Sequence, residues 1–206
     1  MFITIEGPEG SGKTTAVNYA VNKLEEMGYQ IVRTREPGGT PIAEQIRNVI
    51  LDKANTAMDE RTEALLYAAS RRQHLVEKVW PAIKEGKIVV CDRYLDSSLA
   101  YQGGARGLGV DNILNVNMFA TEGTFPDLTL LFDIDPQIGL ARISANADRE
   151  VNRLDLEKIG FHNKVRNTFL ELAKRYPERF VVIDASKSKE EVANKTLEVI
   201  LSRLCK

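Results

Sequence analysis

Five short runs of this chain are apolar almost without interruption: FITIE (2–6), QIVRT (30–34), KIVVC (87–91), LTLLFDI (128–134) and RFVVID (179–184). They are rich in Val, Ile, Leu and Phe and lack the polar alternation of a strand with one wet face. Strands that read this way are buried on both sides, which requires a parallel sheet covered by helices. The stretches between them have the length and amphipathic pattern of those helices. Thr14 to Met27 stops at Gly28, a left-handed cap, and Pro41 to Leu51 has Thr40 as N-cap and proline in its first turn. Asp59 to Lys84, Asp111 to Thr121, Pro136 to Ala145, Asp155 to Tyr176 and Lys189 to Leu204 complete the set. Alternating strand and helix predict an α/β doubly wound sheet in one domain spanning 1–206. Two segments resist assignment: AYQGGARGLG (100–109), with four glycines, and SANADREVNR (144–153), which ends in arginines. Irregular segments of this kind often touch ligands or close over them.

The bulk properties remove several classes. A net charge of −1 offers no basic track for nucleic acid and no attraction to an anionic membrane. No apolar run is long enough to span a bilayer, and MFITIEGPEG has no basic start followed by a long apolar stretch. The two cysteines, Cys91 and Cys205, do not make a disulfide framework. Cys91 reads as a small core residue, and a reducing cytoplasm is the natural location. His74 and His162 read as surface or helix-packing residues, because no Ser/His/Asp or zinc-ligand spacing surrounds them.

Directly after the first strand comes Gly7-Pro8-Glu9-Gly10-Ser11-Gly12-Lys13-Thr14, followed by Thr15. This is the full phosphate-cradle pattern between a strand and a helix. Glycines let successive backbone N–H groups turn toward phosphate oxygens, and the helix start adds its positive end. Lys13 is placed to reach the terminal phosphates of a nucleoside triphosphate, and Thr14 to hold Mg²⁺. Asp92, at the end of the third strand run, is the second candidate ligand for Mg²⁺.

A regulatory GTPase should carry Asn-Lys-x-Asp, yet none of the Asn-Lys pairs at Asn22, Asn163 and Asn194 has Asp in the fourth position. A kinase must bring two anionic groups together and needs several converging positive side chains. Arg35, Arg47, Arg71, Arg93, Arg142, Arg149 and Arg153 are the candidates. Arg35 and Arg93 stand out because each directly follows a strand run. Arg33, Arg61, Arg175 and Arg203 read as solvated.

Taken together, EGPEGSGKTT, REPGGT (35–40), DRYLDSSLAYQGGARG (92–107) and DREVNRLD (148–155) resemble thymidylate kinase, a family of nucleoside monophosphate kinases. The resemblance covers essentially the whole chain, with the segments in order. It implies a P-loop NTPase three-layer sandwich, with a parallel sheet in the order 2-3-1-4-5. It also implies transfer of the γ-phosphoryl group of ATP to dTMP, with Mg²⁺ as cofactor, in a homodimer. By the same resemblance, Glu9 faces the dTMP sugar and Arg93 stands between acceptor and donor phosphates. Arg35 and Arg47 contact the acceptor phosphate, and Tyr67 stacks on thymine. Arg71 donates to a thymine carbonyl, while Ser98 and Gln102 meet the base edge. Tyr101 lies under the sugar and crowds out a 2′-hydroxyl. The P-loop carries no arginine, so the chain resembles the branch that supplies that charge from a lid at about 144–153, through Arg149 or Arg153. Arg142 is placed to stack on adenine, with DASKS (184–188) on its other side. Two rivals stay open: a kinase for another nucleoside or nucleoside monophosphate, and a P-loop protein that senses ATP without catalysis.

Overall fold

The structure, a computed structural model, describes residues 1–145 and 153–204. They form a five-stranded, wholly parallel sheet from β1 (Phe2–Glu6), β2 (Ile31–Arg35), β3 (Ile88–Asp92), β4 (Leu128–Asp133) and β5 (Phe180–Asp184). The strand order is β2-β3-β1-β4-β5, as the family resemblance implies. Ile3 pairs with Val90 on one side and with Leu128 on the other.

Alternation along each strand divides the core. Ile3, Ile5, Val90, Leu130 and Phe132 point to one face, where they meet Ala16, Ala20 and Leu24 of α1 (Lys13–Glu26) and Val199 and Ile200 of α9 (Lys189–Leu204). Phe2, Val89, Cys91 and Leu131 point to the other face. There they meet Leu75, Leu95, Leu99, Ile113 of α6 (Val110–Thr121) and Phe169 of α8 (Ile159–Arg175). Burying such side chains contributes roughly 1.5–3 kcal/mol each, so the two-faced burial holds the sheet between its helix layers.

The helix starts carry ordinary chemistry. α2 (Pro41–Leu51) begins at a proline after Thr40. The Asp59 carboxylate accepts from the backbone N–H groups of Arg61 and Thr62 at the start of α3 (Glu60–His74). Asp135 accepts from the N–H of Gln137 at the start of α7 (Pro136–Ser144). The region expected as one helix over 59–84 is continuous but not uniform. It widens to a π-helical turn at Leu75–Val79 before α4 (Trp80–Lys84). Pro81 has no N–H to donate backward, and the wider turn directly before it absorbs that loss.

The glycine-rich segment 100–109 is a second departure from the sequence reading. After α5 (Leu95–Ser98), residues Leu99–Ala105 form a π-helical turn rather than a loop. Gly104 is there for packing: a Cβ added to it would lie 2.1 Å from Thr168 Oγ1 on α8. The glycine lets two helical layers approach closely. A short 3₁₀ turn, Arg153–Leu156, precedes α8, which starts later than the expected Asp155. Among the described residues, no helix is long and apolar enough to cross a membrane.

Candidate active site

The carboxyl ends of β1, β2 and β3 deliver Glu6, Arg35 and Asp92 to one edge of the sheet, where ligands gather in open α/β folds. A cleft of about 790 Å³ lies there, lined by Glu9 to Thr15 at its centre. The loop from Gly7 to Gly12 reaches this position because its glycines adopt left-handed conformations. Gly10, at φ 70°, lies so close to α7 that an added Cβ would sit 2.1 Å from the Gly139 carbonyl oxygen. Gly12, at φ 79°, turns the chain into α1, so the helix start points into the cleft.

Lys13 is buried and folds back on the loop, donating to the Gly7 and Pro8 carbonyls at 3.0 and 2.8 Å and to Ser11 Oγ at 3.2 Å. Burial, and then the charge of Arg93, lower its ammonium to about 8, despite the opposing carboxylates of Glu9, Asp92 and Glu6. Thr14 and Thr15 are exposed on the cleft wall. Asp92 lies behind them, and its buried Oδ1 has no hydrogen-bond partner among the described residues.

Arg93 follows β3 in a left-handed conformation, φ 66°, which for a side-chain-bearing residue costs on the order of 1–3 kcal/mol. Its surroundings hold it there. Its N–H donates to the Ile5 carbonyl at 2.9 Å, and its guanidinium donates to Glu9 at 2.5 Å and to Ser97 Oγ at 3.1 Å. The guanidinium also lies 5.1 Å from the centre of the Tyr101 ring. Burial opposes the Arg93 charge, but Glu9 leads a group of neighbours that more than restore it, so the group stays firmly protonated. Tyr101 OH donates to the same Glu9 oxygen at 3.4 Å, and burial pushes both the Tyr101 and Tyr67 phenols up.

The wall beyond Arg93 carries Tyr67, Arg71, Ser98 and Gln102, all lining the cleft. Arg35 and Arg47 line it from β2 and α2. Arg35 pairs with Glu44 at 2.9 Å, and Arg47 donates to the Pro37 carbonyl at 3.0 Å. Arg71 is more constrained than a ligand contact alone requires. It is 1% exposed and donates to Glu36 at 2.7 Å, Ser98 Oγ at 3.1 Å, Asn117 Oδ1 and the Tyr94 carbonyl at 2.9 Å. Four of its five N–H donors are thus committed within the protein, and it serves as a structural post as well as a cleft residue.

On the opposite side, Arg142 donates to the Ala185 carbonyl at 3.2 Å, and Ala185 and Lys187 line the cleft with it. Helix α7 and the loop after β5 therefore meet where an adenine contact is expected.

The lid arginines fare differently. Arg149 lies outside the described residues. Arg153 is not brought into the cleft: it is 8% exposed, donates to the Ile50 carbonyl at 3.1 Å and forms an ion pair with Glu63. Acidic Glu63 on α3, four residues before Tyr67, captures it by desolvated charge attraction.

Several residues of the site escaped the sequence reading. Glu6 is fully buried and accepts from Tyr94 N–H at 2.8 Å and Ser97 Oγ–H at 2.5 Å, which ties the strand before the P-loop to the loop bearing Arg93. Burial, together with the negative charge of Asp96, raises its carboxyl to about 8. Glu36 bridges Arg71 and His74, and His74 Nε2 hydrogen-bonds Thr34 Oγ1 at 2.6 Å. His74 is thus a buried packing residue rather than a surface one. A charged residue in or beside an apolar run, as at Glu6 and Glu36, was the available signal: isolated carboxylates are seldom buried without a partner.

Comparison with known proteins agrees with this geometry. The sequence model of the Thymidylate kinase family matches residues 5–196. The chain is 59% identical over 206 residues to the Thymidylate kinase of Bacillus velezensis, covering 100% of this chain and 97% of that one. It is 57% identical over 203 residues to the Thymidylate kinase of Geobacillus sp. (strain WCH70), covering 98% and 97%. With that of Clostridium novyi the identity is 60% over 191 residues, covering 93% of each. A family match across nearly the whole chain, on a P-loop sheet with Arg93 beside the phosphate cradle, establishes that this chain belongs to the thymidylate kinase family.

Proposed function

We propose that this cleft transfers the γ-phosphoryl group of ATP to dTMP, giving dTDP and ADP, with each residue in the role set out below. The observation that carries the assignment is the position of Arg93: beside the P-loop, paired with Glu9, and facing the pocket walled by Tyr67, Ser98, Tyr101 and Gln102. An arginine there bridges a donor phosphate in the loop and an acceptor phosphate in the pocket.

The dTMP phosphate is already anionic, so the reaction needs no strong base. Its obstacle is repulsion between two phosphate groups, and the site removes it by alignment and charge. The P-loop N–H groups and Lys13 hold the ATP phosphates, and Arg93 neutralises charge between the two groups. Lys13 donates to the Gly7 and Pro8 carbonyls, and a triphosphate in the loop offers its ammonium charged acceptors in exchange for these neutral ones. Arg35 and Arg47 hold the acceptor phosphate. Tyr67 stacks on the base, Arg71, Ser98 and Gln102 contact its edge, and Tyr101 fills the space beside the 2′ carbon. Arg142 and the 184–188 loop embrace adenine. The remaining lid charge comes from Arg149 or from Arg153 after release from Glu63. Thr14 and Asp92 would hold Mg²⁺, as hard oxygen donors suited to it, and the buried Oδ1 of Asp92, without a partner among the described residues, fits that role. When bound, the ion adds neutralising charge at the transferring phosphoryl group.

The protein acts as a homodimer in a reducing cytoplasm, without nucleic-acid or membrane partners. Support for the dimer comes from the outer faces of α3, the π-helical turn after it and α6, which expose Leu65, Val76 and Phe119 respectively. Phe119 is 92% exposed. Arg72 donates to Glu122 at 2.7 Å across the same two helices.

The test is a coupled ADP-release assay with dTMP, dUMP, dGMP and thymidine offered separately. Fastest turnover with dTMP is expected. Preference for dGMP or thymidine would move the chain to a different acceptor, and ATP binding without acceptor-dependent ADP release would remove the catalytic reading.

A further inference from the structure

We propose that Glu63, which does not line the cleft, decides which end of the Gln102 amide meets the base, and thereby selects a pyrimidine with a proton on ring nitrogen N3. The inference rests on the reading of Gln102 as a base contact.

Glu63 sits on α3 with 1% of its surface exposed. Its carboxylate accepts from Gln102 Nε2 at 2.8 Å, from Arg106 Nε and Nη2 at 3.4 Å each, and from Arg153 Nη2. Burial alone would raise this carboxyl, but the hydrogen bonds from Gln102 and Arg153 and the charges of Arg106 and Arg153 outweigh it and hold it below the usual range. Glu63 is therefore ionised, and an ionised carboxylate can only accept. Whichever way a side-chain amide is first placed, the end next to such a group must be the NH₂ end.

That fixes the other end. Among the described residues, the bond to Glu63 is the one side-chain hydrogen bond Gln102 makes, and Gln102 lines the cleft. Nε2 keeps a second N–H, but with that nitrogen turned to Glu63 the end of the amide directed away from Glu63 is the carbonyl oxygen, which can only accept. Thymine and uracil present an N3–H that satisfies it. Cytosine presents a lone pair at N3, which would face the lone pairs of Oε1. Arg71 adds to the same choice, since a guanidinium has no acceptor and can meet the O4 of thymine but not the 4-amino group of cytosine. Two buried groups left unpaired by the wrong base discriminate far more strongly than shape alone. Glu63 is thus a positioning residue: it acts through Gln102.

The experiment compares dTMP, dUMP and dCMP as acceptors for the unmodified protein, Glu63→Gln, Gln102→Leu and the double variant. A glutamine at 63 can donate or accept, so the Gln102 amide is free to turn over. The dTMP-over-dCMP ratio in kcat/KM is expected to fall about tenfold or more, mainly through a higher KM for dTMP. In the Gln102→Leu background, adding Glu63→Gln is expected to leave the ratio within about twofold, because its route to the base is gone. If Gln102→Leu lowers the ratio but Glu63→Gln does not, the positioning role is overturned and the base contact stands. If Gln102→Leu leaves the ratio intact, the base contact itself is overturned, and the inference with it. Should Glu63→Gln not fold, the side-chain amide resonances of Gln102 in the unmodified protein, assigned by their loss in Gln102→Leu, provide the second measurement. Slow solvent exchange both before and after dTMP binding supports the fixed orientation, and a more than tenfold acceleration on binding overturns it.

Discussion

Replacing Arg71 by methionine tests whether this residue is a ligand contact or also a beam of the fold. Methionine preserves much of the side-chain length and leaves only a modest cavity, so the loss is mainly polar. Arg71 and Glu36 are both about 2% exposed at their side chains and pair at 2.7 Å. Removing the guanidinium leaves Glu36 with His74 as its remaining partner and strips donors from Ser98, Asn117 and the Tyr94 carbonyl. Breaking a buried pair from one side costs about 3–5 kcal/mol. In a chain of this length each kcal/mol moves Tm by about 2–4 °C, so a fall of about 6–20 °C is expected. The assay is thermal unfolding followed by circular dichroism at neutral pH, with urea unfolding in parallel to give the free energy directly. Arg71→Lys should rescue little, because one ammonium cannot reach acceptors on four sides of a planar fork. A Tm within about 2 °C of the parent, accompanied by a large rise in KM for dTMP, would refute the structural role and leave Arg71 as a ligand contact only.

Four further outcomes follow from the same geometry. Arg93→Ala and Lys13→Ala should each lower kcat by ~10²–10³, read in the coupled ADP assay; near-normal turnover in either removes its assigned role. Tyr101→Ala should raise the use of ribothymidine monophosphate relative to dTMP, and an unchanged ratio would take Tyr101 out of sugar discrimination. Because burial lowers Lys13 to about 8, kcat/KM for ATP should decline as pH rises through that value and the ammonium loses its charge. A flat profile across this range would contradict the buried setting. Glu6 has a folded pKa raised to about 8, so the native state holds a proton that the unfolded chain releases. Its contribution to stability is full below the unfolded value of 4.5 and fades as pH rises through about 8. Glu6→Gln should flatten that decline in unfolding free energy, and an identical pH dependence would show that Glu6 titrates normally.

Much of this protein is legible along the chain because it rests on local rules. Strands buried on both faces cannot avoid being apolar throughout, so all five runs appear at their sequence positions within a residue or so. The phosphate cradle is legible for a similar reason: its amides must converge over eight consecutive residues, and glycines are needed within that span. Arg35, Arg93 and Asp92 could be anticipated because strand ends in a parallel sheet share one edge.

What escaped the sequence was whatever depends on residues far apart in the chain. The glycines around position 104 signal irregularity locally, but the reason for Gly104 lies on α8, where Thr168 leaves no room for a side chain. An arginine announces a charge and not its partner. Arg153 could have faced the transferring phosphoryl group; Glu63, ninety residues earlier, holds it instead. Composition and short-range pattern by themselves determined which segments become sheet and where the glycine-rich phosphate-cradle loop lies, since each requires only neighbours in sequence. Only the tertiary structure decided which arginines are spent on buried carboxylates and which are left facing the cleft, because that allocation depends on desolvation and pairing between elements that the chain brings together only when folded.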